Sequence, residues 1–237
     1  MPFLPSLLEY SIYDLQTKLQ LIKNYPVEFQ AIQRSPDGKI YLHLDFVLPE
    51  FAASRSVQSG NRPKIVFDLI HKYFQDQKVV CNSHFMGFEG DIAVVLGFFK
   101  TYTWNPNWEY ILYVGPEFLK EFEQLKESTK KTSIPIEIKI GTWLDLDQYN
   151  SETKFELQDY LLMTVFAGKS GQKLMEDTRL KTLGIIKQNS NINFTVDGGW
   201  VVKDELKELT LKQKENLSIV SYSSFWKEFE KLINQSY

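Results

Sequence analysis

Two of the three histidines in this 237-residue chain stand in runs that read as β-strands, and each such run also offers oxygen donors close by. His43 and Asp45 lie two residues apart in the run 39–47, Lys-Ile-Tyr-Leu-His-Leu-Asp-Phe-Val, and residues i and i+2 of a strand share a face. His84 lies near the end of the run 78–86, and Asp197 ends the short apolar run Phe194-Thr195-Val196. Two imidazoles and two carboxylates make a nitrogen and oxygen donor set for one divalent cation; zinc, iron, manganese and cobalt all suit it. The competing reading makes each histidine a half-buried strand side chain and Asp45 a cap on the loop that follows. The third histidine, His71, falls between apolar positions of a helical pattern and reads as a surface or semi-buried residue.

A second set of residues suits an anion. Gly198 and Gly199 follow Asp197 directly, Gly168-Lys169-Ser170-Gly171-Gln172 opens a helical pattern, and Ser221-Tyr222-Ser223-Ser224 follows the last apolar run. Glycines let backbone N–H groups turn towards a ligand, and helix starts present unpaired N–H groups to phosphate. Each of the three loops read singly is an ordinary turn.

The elements that must position these residues alternate along the chain. Strands are expected at Leu4–Tyr10, Lys39–Val47, Lys78–Met86, Tyr110–Val114, Ile134–Leu144, Asp159–Val165, Asn193–Asp197 and Leu217–Ser221. Helices are expected at Ser11–Tyr25 (Ile12, Leu15, Leu19 and Ile22 at helical spacing, Ser11 as cap), Arg62–Phe74, Gly90–Lys100, Glu117–Lys126, Leu174–Gln188, Val202–Leu209 and Ser224–Ile233. Ser151–Gln158 reads as one or two helical turns. Val27–Arg34 reads as extended after a helix stop at Pro26, and Pro49–Asn61 as polar loop. Eight strand-then-helix units without a linker predict an α/β fold, a single-domain (β/α)8 TIM barrel over residues 1–237. An open doubly wound sheet is the alternative, but no Gly-x-Gly-x-x-Gly follows the first strand. In a barrel, His43, Asp45, His84 and Asp197 all fall towards C-terminal strand ends, where such folds carry their chemistry, and the three anion loops fall in one sector.

Charge and composition narrow the function classes. A net charge of −3 with no dense basic stretch argues against a nucleic-acid footprint. No apolar run approaches spanning length, so no membrane partner is expected, and the N-terminal stretch lacks the features of a signal peptide. Cys81, the single cysteine, excludes an intrachain disulfide and reads as a buried apolar residue, in keeping with a cytoplasmic location. The aromatic segment Tyr102–Tyr110 reads as packing on the barrel's outer layer, with a partner surface as the alternative.

The ordered motifs resemble the ribulose-phosphate 3-epimerase family along nearly the whole chain. Pro5-Ser6-Leu7-Leu8, His43-Leu44-Asp45, His84-Phe85-Met86, Leu161-Leu162-Met163-Thr164-Val165 with Gly171-Gln172, and Val196-Asp197-Gly198-Gly199 are each similar to a family motif, in the family's order. The resemblance implies a metal held by His43, Asp45, His84 and Asp197, with Asp45 and Asp197 as the two acid/base carboxylates. It implies substrate contacts from Ser6, Met86 and Met163, a phosphate cradle at Gly168, Gly171, Gln172, Gly198, Gly199, Ser221 and Tyr222, and a homo-oligomer. The implied reaction inverts C3 of a ketose phosphate such as D-ribulose 5-phosphate: one aspartate removes the C3 proton, the metal stabilises the enediolate, and the other aspartate returns a proton to the opposite face.

The chain departs from the family's pattern in two places. Val47 stands where a flanking methionine is usual, and Phe46-Val47-Leu48-Pro49 reshapes the following loop. Ser170 replaces a phosphate-loop glycine, and Ser221-Tyr222 replaces Gly-Ser, with Lys169 as a compensating charge. These changes point to a relative acting on another phosphorylated or free ketose as a second reading. A non-enzymatic barrel that binds a sugar or a protein partner through a vestigial site is a third.

Overall fold

The computed structural model describes residues 1–7, 11–35, 37–60, 62–130, 136–167, 172–202 and 206–236. Its centre is one eight-stranded parallel sheet: β1 (Phe3–Pro5), β2 (Ile40–Val47), β3 (Val79–Met86), β4 (Trp108–Val114), β5 (Glu137–Leu144), β6 (Asp159–Met163), β7 (Asn193–Asp197) and β8 (Leu217–Ser221). The order β1-β8-β7-β6-β5-β4-β3-β2 brings the two ends of the sheet together, and a single bridge, Ser6 to His43, joins them. There the Leu7 N–H donates to the His43 carbonyl at 2.8 Å. With helices after every strand except β5, this is the (β/α)8 barrel expected from the alternation.

Strands covered on both faces lose the polar alternation of an exposed sheet. β3 is buried at all eight positions and β2 at seven of eight. The face towards the helices packs Phe46, Phe67, Phe85 and Phe99 against one another; Phe46 and Phe85 stack at 4.9 Å. Cys81 is buried in this layer. The segment 102–110 belongs to the same packing: Trp108 and Tyr110 are buried, and Trp104 stacks on Phe99 at 5.1 Å.

The barrel is wrapped by α1 (Ile12–Asn24), α2 (Pro26–Gln33), α3 (Pro49–Arg55), α4 (Pro63–Phe74), α5 (Glu89–Thr101), α6 (Leu119–Thr129), α7 (Glu176–Gln188), α8 (Leu211–Glu215) and α9 (Ser223–Gln235). Ser11 caps α1 by accepting from the Asp14 N–H at 3.4 Å, and Leu15, Leu19 and Ile22 are its buried stripe, while Ile12 is exposed. Among the described residues, no helix is long and apolar enough to cross a membrane.

Five expectations are corrected. Val27–Arg34 is helical in α2, and Pro49–Arg55 is helical in α3: both prolines sit in the first helical turn, where the missing N–H is no loss, so each begins a helix rather than marking a break. Residues 151–158 form no helix; the Asn150 side chain instead accepts from the Glu152 N–H at 2.8 Å and turns the chain. The helix expected at Val202–Leu209 is displaced to α8, which Thr210 and Gln213 start with reciprocal side-chain to backbone bonds; residues 203–205 lie outside the described set. β1 stops at Pro5 rather than reaching Tyr10, whose neighbourhood is also outside that set.

Candidate metal centre

Strand alternation turns His43 and Asp45 of β2 into the barrel, and register does the rest. Asp45 pairs with His84 of β3, and His43 pairs with Asn82. On the other side of the β1–β8 pair, Asp197 ends β7 opposite Met163 of β6. One donor atom from each of His43, Asp45, His84 and Asp197 lies within 4.8 Å of all the others. His43 Nε2 is 3.1 Å from Asp45 Oδ1 and 3.7 Å from Asp197 Oδ2; His84 Nδ1 is 3.4 Å from Asp45 Oδ1. Both histidines are fully buried, and the Asp197 side chain keeps 13% exposure, so the cluster meets solvent on its Asp197 side.

The residues fit a cation. Both His84 ring nitrogens are sealed and make no hydrogen bond with any described residue. A buried imidazole left so is costly, and a cation shared with the adjacent carboxylates would supply a partner to one of the two nitrogens. The other nitrogen of His43 is already used: Nδ1 lies 2.6 Å from Asn82 Oδ1, which leaves Nε2 facing the carboxylates. Asn82 Nδ2 in turn donates to Thr195 Oγ1 at 3.2 Å, and Tyr113 OH is 2.9 Å from that same oxygen.

Without a cation the four groups compete for protons. Burial disfavours ionised Asp197, the Asp45 charge adds to it, and His43 only partly offsets them, so Asp197 is pushed up to about 7. Burial also opposes Asp45, but the charge and hydrogen bond of His43, followed by the His84 imidazole 3.4 Å away, hold it well below the usual carboxylate range. For His43, burial is outweighed by the Asp45 charge and hydrogen bond, then by Asp197, and the imidazole rises to about 9. His84 moves down because burial prevails over Asp45.

The other candidate residues divide. Ser6 Oγ donates to Asp45 Oδ2 at 2.7 Å, so it touches the cluster directly. Met86 and Met163 are buried in an inner wall with Val47, Trp143, Val165 and Phe51 of α3. Phe51 meets Trp143 edge-on, and Trp143 meets His84 edge-on with ring centres 4.9 Å apart. Asp91 of α5 seats α3 by accepting from the Glu50 and Phe51 N–H groups, and Arg55 pairs with Asp145 at 2.9 Å.

Beyond Asp197 the chain turns through Gly198 (φ 111°) and Gly199 (φ 74°). A groove of about 670 Å³ opens there, with Gly199, Gln172, Tyr222, Ser224 and Lys227 on its walls. The Gln172 side chain donates to the Phe166 carbonyl at 2.7 Å. Ser221 is buried and donates to the Trp200 carbonyl at 2.9 Å, which turns its hydroxyl into the fold. The Lys18 ammonium lies 4.2 Å from the Tyr222 ring centre. Gly168 and Gly171 lie outside the described residues.

Four residues that serve the cluster gave no chemical signal in the sequence. Asn82, Thr195 and Tyr113 carry no ordinary ligand signature, although Asn82 shares the face of His84 at i and i+2. Thr164 is the fourth; its hydroxyl lies 2.8 Å from the Asp197 carbonyl and 2.6 Å from that of Gly198, and it accepts from Trp200 Nε1 at 2.9 Å. No family model matches the chain, and no curated protein does either, so the site is read from its own residues.

Proposed function

We propose that this protein is a metal-dependent sugar-phosphate 3-epimerase that interconverts D-ribulose 5-phosphate and D-xylulose 5-phosphate or acts on a related ketose phosphate. The observation that carries this reading is the convergence of His43, Asp45, His84 and Asp197 at the C-terminal ends of three strands. A divalent ion bound there supplies Lewis acidity to the ketose oxygens and acidifies the C3 proton.

The chain's own groups account for the proton traffic. Inversion at C3 needs one group to remove a proton and another to deliver one from the opposite face. Asp45 comes from β2 and Asp197 from β7, with β1 and β8 between them, so the two carboxylates reach the centre from separate strands. Ser6 fixes the orientation of Asp45 through Oδ2. The buried wall of Met86, Met163 and Trp143 keeps water from one side of the reacting carbon. The groove beside Gly199, with Lys227 on its wall, suits the phosphate.

The test pairs metal analysis of the purified protein with transfer of solvent deuterium into C3 of D-ribulose 5-phosphate. Bound divalent metal and exchange at C3 are expected; an apoprotein that refuses metal and leaves C3 unexchanged defeats the proposal.

A second reading, a related ketose as the substrate, draws support from the inward-turned Ser221 and the bulky Tyr222 on the groove. Comparing kcat/KM for phosphorylated and free ketoses decides it; a clear preference for ribulose 5-phosphate removes it.

A further inference from the structure

We propose that Asn82 is a positioning residue of the metal centre: its amide oxygen fixes the His43 tautomer while adding no charge, and so keeps the bound cation strongly electrophilic. The metal-binding part stands on the donor cluster alone; the part about turnover rests on the epimerase reading.

The geometry points to a defined hydrogen-bond direction. An amide oxygen only accepts, so the 2.6 Å contact places the proton on His43 Nδ1 and leaves the Nε2 lone pair for the cation. If the amide were reversed, an N–H would face Nδ1, the proton would move to Nε2, and His43 would turn a donor towards the carboxylates and away from ligation. The Asn82 amide is held from behind. Its Nδ2 donates to Thr195 Oγ1, which also bonds Tyr113 OH. His43, Asn82, Tyr113 and Thr195 come from β2, β3, β4 and β7, and all four are buried. The chain of bonds crosses the barrel interior beneath the cluster, out of reach of solvent that could reorient any member.

The neutrality of the amide matters as much as its direction. A ligating histidine commonly passes its second N–H to a carboxylate, which makes the imidazole a stronger donor and the metal a weaker acid. Two aspartates already balance a divalent ion here. A third carboxylate at position 82 would leave a buried net negative charge, hold the ion more tightly, and blunt its pull on a ketone oxygen.

Two variants separate the effects. Asn82→Asp is matched in size, and Thr195 can reverse its hydroxyl to donate to the new carboxylate. It is expected to lower the Mn²⁺ Kd about 10-fold while lowering kcat about 10-fold, so that affinity and turnover part company. Asn82→Leu removes the acceptor and is expected to raise the Mn²⁺ Kd about 10- to 100-fold. In the zinc-loaded protein, ¹⁵N NMR is expected to show His43 protonated at Nδ1 in the parent chain and a mixture of tautomers in Asn82→Leu. Unchanged Mn²⁺ Kd values in both variants, or affinity and turnover falling together in Asn82→Asp, would overturn the proposal. If the parent chain does not turn over ribulose 5-phosphate, the epimerase reading fails by itself, and the Kd and tautomer measurements still decide the role of Asn82. If Asn82→Leu does not fold, the Asn82→Asp titration carries the same decision.

Discussion

Thr164 holds the backbone of Asp197 at the ends of adjacent strands: its N–H donates to the Asp197 carbonyl at 2.7 Å, and its hydroxyl is shared between that carbonyl at 2.8 Å and the Gly198 carbonyl at 2.6 Å. The same hydroxyl accepts from the Trp200 indole. The backbone that carries the Asp197 carboxylate is therefore gripped from β6, immediately before two glycines that would otherwise leave it loose. Thr164→Val removes the hydroxyl and orphans a buried indole N–H, a loss of about 1–3 kcal/mol in stability. Urea unfolding is expected to show that loss together with weaker Mn²⁺ binding, and Thr164→Ser is expected to restore both. A Thr164→Val protein with unaltered Mn²⁺ affinity would show that the grip does not reach the carboxylate.

Ser6→Ala tests the other carboxylate. The Ser6 hydroxyl donates to Asp45 Oδ2, and a hydrogen bond to a charged group is worth about 1.5–3 kcal/mol. Loss of about tenfold or more in kcat is expected, with Tm lowered by several degrees because a buried carboxylate oxygen loses its donor. Full activity in Ser6→Ala would assign the serine to the barrel seam alone.

The metal-free protein is expected to lose stability as pH rises from about 6 to 9. His43 is raised from 6.5 to about 9, so its contribution is complete below 6.5 and disappears as pH climbs through 9. Asp197 is raised from 3.8 to about 7, so the penalty for its buried charge grows across that interval and is complete above 7. Asp45 is shifted the other way; its contribution is present above 3.8 and is lost only in strong acid. Urea midpoints in the presence of chelator, read from pH 6 to 9, check the sign. Cation binding requires neutral His43 and ionised Asp197, so protons must leave: calorimetry in buffers of different ionisation enthalpy is expected to show more protons released at pH 6 than at pH 9. A rising stability curve without metal, or proton release that does not vary with pH, contradicts this charge assignment.

Gly199→Ala probes the groove. Its φ of 74° disfavours a side chain, and an added Cβ would come within 2.3 Å of the Leu174 backbone nitrogen. The strain alone is worth about 1–2 kcal/mol, and the clash forces Leu174 outward. Reduced stability together with a raised KM for a phosphorylated ketose is expected, with Mn²⁺ affinity retained. A normal KM would place the phosphate elsewhere.

Most of the barrel was legible because parallel strands covered on both sides must be apolar throughout. Asn193–Asp197 and Leu217–Ser221 have the bounds read from sequence, and β2 and β3 differ by one residue. The helices with no signal in the sequence are short and begin with proline. α2 and α3 are eight and seven residues long, too brief for a helical period to declare itself, and a proline looks the same before a helix as after one. The Ser151–Gln158 and Val202–Leu209 expectations failed because local turn chemistry at Asn150 and capping at Thr210 decided the backbone there. His43 and Asp45 could be read because they stand two apart on one strand face, and His84 and Asp197 because each falls near the end of an apolar run. Asn82, Thr195 and Trp143 could not, since an amide, a hydroxyl and an indole are everyday strand residues until register sets them beside His43 and His84. α3, in a stretch whose polar residues suggest a loop, lays Phe51 against the wall of the site.

The seam between β1 and β2 is one bridge wide, and its two residues, Ser6 and His43, both serve the cluster. A cation gripped by His43 and Asp45 on one side and Asp197 on the other would span that seam like a clasp, tying β2 to β7 over β1 and β8. The place where the hoop is thinnest is thus the place where the ion would sit. Emptying the site would slacken the ring itself, and loading it would tighten both the chemistry and the architecture in one act.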